Sequence, residues 1–101
     1  MNWKTMHKNI GNLFVGQRVT IKFEATKELP EILKISSSCG CSKPEYDVNS
    51  KVLTVNYKAQ SVPKHRKAKG WYNTTKKITV VYKDGSHDIL SFTSVVRSRR
   101  L

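Results

Sequence analysis

Acidic residues are scarce in this chain: seven Asp and Glu stand against nineteen Lys and Arg, for a formal charge of +12. The seven are scattered, so no paired-carboxylate centre for acid–base chemistry can be drawn from them. Cysteine is almost absent as well, and two residues cannot supply the disulfide framework that holds up many small secreted folds. No run of about 20 apolar residues is present, which excludes a helical membrane span and predicts no membrane partner. The opening stretch from Met1 to Lys8 has no apolar h-region, so export by a signal peptide is not expected. Gly-rich phosphate cradles are missing too. At 101 residues the chain predicts one domain able to bury about two thirds of its unfolded surface, too little for a large enclosed active site.

What remains is a basic, β-patterned sequence. Its charge exceeds what solubility needs and creates a field that favours polyanions or an acidic protein surface. Val19, Ile21, Phe23 and Ala25 alternate with Arg18, Thr20, Lys22 and Glu24, the pattern of a half-buried strand. Ile10, Leu13 and Val15 predict a strand before it; Ile32, Leu33 and Ile35 predict one after Pro30, a residue that breaks helices and central ladders. Pro44 to Ser50 reads as a loop, and Val52 to Tyr57 as a strand with Leu53, Val55 and Tyr57 on one face. Thr75 to Tyr82 and Ile89 to Val96 flank Lys83-Asp84-Gly85-Ser86. Asp-Gly there predicts a hairpin with a type I′ turn, in which both central residues take positive φ. About seven short strands with regular turn signals favour a two-sheet sandwich, with a small barrel as the competing architecture.

The basic residues gather in two places. Lys64, His65, Arg66, Lys67 and Lys69 lie in a polar loop over 60–70 that has little to pack, followed at once by Trp71 and Tyr72. Arg97, Arg99 and Arg100 form a tail over 97–101. Lys and Arg beside aromatic rings can neutralise phosphates while the rings stack on bases, so a nucleic-acid partner is one reading. Contact with acidic side chains of a protein is the other, and no RNA-binding signature, helix-turn-helix or zinc finger is visible. Trp3 and Met6, in an N-terminal arm over 1–8, either anchor on a neighbouring molecule or fold back on their own domain.

Cys39-Gly40-Cys41 ends the third predicted strand. A one-residue spacing suits a closed metal site poorly, since such sites take four ligands and the usual knuckle has two intervening residues; the three histidines are scattered. A Cys39 to Cys41 disulfide would close a small strained ring. The preferred reading is packing, with cysteine as a small buried hydrophobe and Gly40 permitting a bend that a side chain would forbid. No cofactor and no resident metal are expected. His87 next to Asp88 lacks a third member, so catalysis is not expected either.

Asn9-Ile10-Gly11, Val15-Gly16-Gln17, Val19 to Phe23, Ile35 to Ser42 and Lys77 to Val80 together resemble the bacterial domain of unknown function built on a Ser-Cys-Gly-Cys-Thr motif. That family is related to immunoglobulin-like domains of the ASPM and Hydin type. The likeness runs from Lys8 to Val96. It departs where the family has Asn-Thr-Gly-Asp and Pro-Gly-Glu turns, for which this chain has Thr26-Lys27-Glu28-Leu29 and Val48-Asn49-Ser50-Lys51. The resemblance implies an all-β, single immunoglobulin-like β-sandwich over 9–96. A free-standing, unexported, basic version of it looks like a minor or decorating virion protein of a tailed phage. Such a protein would be made in the host cytoplasm, be present in many copies and bind an acidic virion lattice protein through its basic loop and termini.

Overall fold

A computed structural model describes residues 2–60 and 70–98. Among them are seven strands and no helix: β1 (His7–Phe14), β2 (Arg18–Glu24), β3 (Ile32–Ser37), β4 (Ser42–Asp47), β5 (Val52–Lys58), β6 (Trp71–Tyr82) and β7 (His87–Arg97). Two sheets result, one of four strands in the order β1-β7-β6-β3 and one of three in the order β2-β5-β4. The protein is a β-sandwich of the immunoglobulin-like kind. Relative to the constant-type arrangement, the first strand has left its usual sheet and runs parallel to the last.

Alternation builds the core directly. Ile21 and Phe23 of β2 and Leu53, Val55 and Tyr57 of β5 point inward from one sheet; Ile78, Val80 and Tyr82 of β6 and Leu90, Phe92 and Val96 of β7 meet them from the other. Tyr57 and Phe92 touch edge to face across the gap, with ring centroids 5.1 Å apart. Each such fully buried side chain contributes about 1.5–3 kcal/mol of transfer free energy.

Several expectations need correcting. The segment read as a loop from Pro44 to Ser50 overlaps β4 from Pro44 to Asp47, with Pro44 paired opposite Val55. An edge strand can hold proline because its missing N–H need not serve a ladder, and β4 is an edge. The final hairpin forms, but Gly85 alone has positive φ (93°) in its turn, and Asp84 does not. The Gly85 N–H donates to the Tyr82 carbonyl (3.1 Å) and the Tyr82 N–H to the Ser86 carbonyl (2.9 Å), a three-residue connection with a glycine bulge. β1 begins at His7, inside the expected arm, and stops at Phe14 before Val15.

Trp3 takes the second of its two readings and folds back on its own domain. Rather than extending towards a neighbour, it is 0% exposed and pairs with Ala25 in an isolated antiparallel bridge. Its indole is too large an apolar surface to leave in water when the gap between the sheets is open at this end. Tyr46 closes over it edge to face, with centroids 6.0 Å apart.

Candidate functional site

The strand register places charge unequally along the sandwich. One pole gathers the end of β1, the starts of β2 and β6 and the ends of β5 and β7. Backbone bonds tie it together: Val15 N–H to the Arg97 carbonyl, Gly16 N–H to Ala59, Ala59 N–H to Gln17 (each 2.9 Å) and Ser98 N–H to Gly70 (2.8 Å). Arg18 faces Lys58 across the β2–β5 pair, Lys43 faces Asn56 across β4–β5, and Arg97 faces both Trp71 and Phe14. The side chains of Arg18, Lys43, Lys58 and Arg97 are exposed.

Among the described residues no Asp or Glu stands in the end rows of this pole. The chain's seven acids are Glu24, Glu28, Glu31, Glu45, Asp47, Asp84 and Asp88. Glu24 and Asp47 end their strands at the opposite pole, on either side of Val52. Glu28 and Glu31 border a groove there with Lys51, and Asp84 sits in the β6–β7 turn. Glu45, in the middle of β4, is the next residue after Lys43 on the same exposed face. Two exposed ion pairs, Lys4 to Glu24 (3.1 Å) and Lys83 to Glu31 (2.9 Å), neutralise acids at the far pole. Pairs of that kind contribute about 0–1 kcal/mol each. The basic pole has no such compensation among the described residues, and its field is therefore the stronger.

Lys64, His65, Arg66, Lys67 and Lys69 of the basic loop, and Arg99 and Arg100 of the tail, lie outside the described residues. The flanking positions are described: Gln60 and Gly70 both belong to the basic pole, with the Tyr72 hydroxyl donating to the Gln60 carbonyl (3.4 Å). Of the residues singled out in the sequence, Trp71 and Arg97 are brought together, in register across β6 and β7. Phe14 completes their row on the outer face of the four-stranded sheet, 48% exposed, while Arg97 Nε donates to Asn12 Oδ1 (3.2 Å).

Cys39 and Cys41 are joined as a disulfide, not packed as separate buried thiols. Both are half-buried, and the motif forms the crossover from β3 in one sheet to β4 in the other. Serines brace it: Ser37 Oγ donates to the Cys39 carbonyl (2.8 Å) and lies against Ser42 Oγ, while Ser42 N–H reaches Cys39 O (3.2 Å). Gly40 takes no left-handed conformation, and a Cβ there would meet nothing within 4 Å. The bend therefore does not require glycine.

Arg18, Lys43 and Lys58 were missed as site residues. Arg18 and Lys58 are visible in the sequence as outward positions of strands, but only the register puts them side by side; Lys43 fell just before a segment read as a loop. They line a depression of about 470 Å³ on the outer face of β2-β5-β4, beside Gly40 and Cys41. Tyr57 at its floor is buried, and burial pushes its hydroxyl above the usual tyrosine range, with Tyr72 adding to the shift and Ser94 opposing it. It is no candidate base.

Among the described residues one hydrogen-bonded Ser–His pair is found, His7 Nδ1 with Ser91 Oγ (2.6 Å), on the exposed outer face of β1 and β7. The other ring nitrogen lies against Thr93 Oγ1 (3.3 Å), so no carboxylate orients the ring. The pair lacks the geometry of a hydrolytic centre. Among the described residues no group of three His, Cys, Asp or Glu could hold a metal ion, and no helix is long and apolar enough to cross a membrane.

No family model matches the chain, and no curated protein matches it. Solved structures do. A mutant of the SrpA adhesin of Streptococcus sanguinis aligns over 88% of this chain and 55% of its own, at 14% identity and a TM-score of 0.55. The sialic-acid-binding region of a Streptococcus sanguinis adhesin bound to 3'sLn aligns over 91% and 28%, at 11% identity and a TM-score of 0.56. A Bacteroides ovatus GH5 xyloglucanase in complex with a heptasaccharide aligns over 94% and 18%, at 17% identity and a TM-score of 0.52. The chain thus spans about half the length of the SrpA adhesin. Identities this low establish a shared fold and leave function to the site itself.

Proposed function

We infer that this domain is a non-enzymatic interaction module that docks an acidic macromolecular surface with its basic pole. The observation that carries the reading is the segregation of charge. Arg18, Lys43, Lys58 and Arg97 gather towards one end of the sandwich with the flanks of the basic loop, and the nearest of the seven Asp and Glu is Glu45, two residues from Lys43 on β4. Uncompensated charge on a rigid end steers encounter and sets orientation. Adhesin regions among the proteins of this fold are in keeping with a binding role.

In its finer form the partner is a structural protein of a phage particle, and the domain decorates that lattice in many copies. Repetition would let individually weak, salt-screened contacts hold by avidity. The resemblance of Ile35 to Ser42 to the Cys-Gly-Cys family supports this version. Mass spectrometry of particles purified from infected source cells tests it: the chain should be recovered in many copies per particle. Its absence from particles would remove the virion partner.

A nucleic-acid partner is the second reading, favoured by the row of Phe14, Arg97 and Trp71, where a cation stands between two rings on an open sheet face. Bases stack on such rings while Arg neutralises phosphate. Trp3 is buried and Trp71 half-buried. Single-stranded DNA should therefore quench the fluorescence of a Trp3→Phe variant through Trp71, with steep salt dependence. Unchanged emission at saturating oligonucleotide would discard this reading.

A further inference from the structure

The depression on β2-β5-β4 has a donor set of one kind. Arg18 and Lys58 stand side by side on adjacent strands, and Lys43 follows on the third strand, opposite Asn56. Asn56 Oδ1 accepts from Thr20 Oγ1 (3.1 Å), which turns its oxygen towards β2 and leaves its Nδ2 to donate. Charged and neutral groups alike thus offer protons to an anion. Resting on the basic-pole reading, we propose that this depression is the socket for a short extended acidic peptide of the partner, with carboxylates on alternate residues.

Spacing argues for an extended acidic segment over a single compact anion. Neighbouring strands lie about 4.8 Å apart and same-face residues about 6.8 Å apart, so Lys58 and Lys43 sit on a diagonal of about 8 Å. Carboxylates on alternate residues of an extended peptide recur at about 6.8 Å, which long Lys and Arg side chains bridge easily. A compact phosphate would call for converging backbone N–H groups. Here the Cys41 N–H is taken by Cys39 Sγ (3.1 Å), the Lys58 N–H by the Cys41 carbonyl (3.0 Å), and Gly40 lacks the left-handed conformation of an anion nest. A nucleic-acid strand is disfavoured at this face because Tyr57, the aromatic residue lining it, is 1% exposed and cannot stack. Arg18 adds a planar fork that matches carboxylate geometry.

Nuclear magnetic resonance titration tests the proposal, with an acetylated Glu-Ala-Glu-Ala-Glu peptide, inorganic phosphate and an oligothymidylate as separate probes. The acidic peptide should shift the amides of Thr20, Lys43 and Asn56 in the wild type. An Arg18→Gln, Lys43→Gln, Lys58→Gln variant, all exposed positions that should leave the fold intact, should bind the peptide about tenfold or more weakly, each cation contributing roughly twofold to fivefold. If that variant binds as tightly as the wild type while a Lys64→Gln, Arg66→Gln, Lys67→Gln variant loses the peptide, the socket is refuted and the basic-pole reading stands. Stronger shifts of the same amides by phosphate or oligothymidylate than by the peptide would overturn the choice of ligand. No binding of any probe to the wild type would overturn both readings.

Discussion

The indole Nε1 of Trp3 donates to Asp88 Oδ2 at 3.1 Å, joining residues 85 apart in sequence. Asn2 Nδ2 (2.9 Å) and the Tyr82 hydroxyl (2.7 Å) donate to the same oxygen. One carboxylate therefore fastens the N-terminal segment to the β6–β7 hairpin, and the Lys4 N–H to Glu24 carbonyl and Thr26 N–H to Asn2 carbonyl bonds (2.9 Å each) fasten it to the end of β2 and the residues just after it.

Removing that anchor should be costly. Trp3→Ala would lose a fully buried indole and leave Asp88 short of a donor, so urea unfolding should show a loss of about 3–5 kcal/mol. A loss below about 1 kcal/mol would mean that the N-terminal segment is not part of the core.

Burial pushes the Asp88 carboxyl up, but the bonds from Asn2, Tyr82 and Trp3, with His87 nearby, outweigh it and hold the group below the usual carboxylate range. A carboxyl with a depressed folded pKa stabilises the fold above its unfolded value, about 3.9, and that stability is lost as pH falls through the folded value. Wild-type stability should thus decline below about pH 4 more steeply than that of Asp88→Asn. Equal slopes in acid denaturation would contradict the role given to Asp88.

Glycines at two bends should respond differently. Gly85 has φ of 93°, so Gly85→Ala is strained although its Cβ meets open space, and should cost about 1 kcal/mol. Gly40→Ala, at ordinary φ with equal space, should fall within about 0.5 kcal/mol of wild type. Thermal melts of the two variants, compared side by side, check this difference.

The sandwich was legible wherever one face of a strand is apolar: Val19 to Phe23 and Val52 to Tyr57 announce themselves by alternation. β4 was not, because Ser42, Pro44 and Tyr46 form a weak inner face and Pro44 signals a break unless the strand is known to be an edge. Trp3 lay beyond any periodic run, and its burial depends on a gap that only tertiary packing defines. The excess of positive charge was plain from composition, whereas its confinement to one pole follows from register: Arg18, Lys58 and Lys43 are distant in sequence and adjacent in the sheet. The Cys39–Cys41 bond likewise depends on how the crossover turns, which the pattern of residues leaves open.

The central claim is that the position of positive charge, more than its amount, determines what this domain binds. Two variants with the same change in net charge separate the alternatives: Arg18→Glu, Lys58→Glu, Arg97→Glu at the basic pole, and Lys27→Glu, Lys34→Glu, Lys51→Glu at the other end. Binding of each to a polyglutamate-coated surface should be measured at low and at physiological salt. The basic-pole variant is expected to lose binding while the other retains nearly all of it. Equal losses in both would contradict the claim, leaving net charge alone as the determinant.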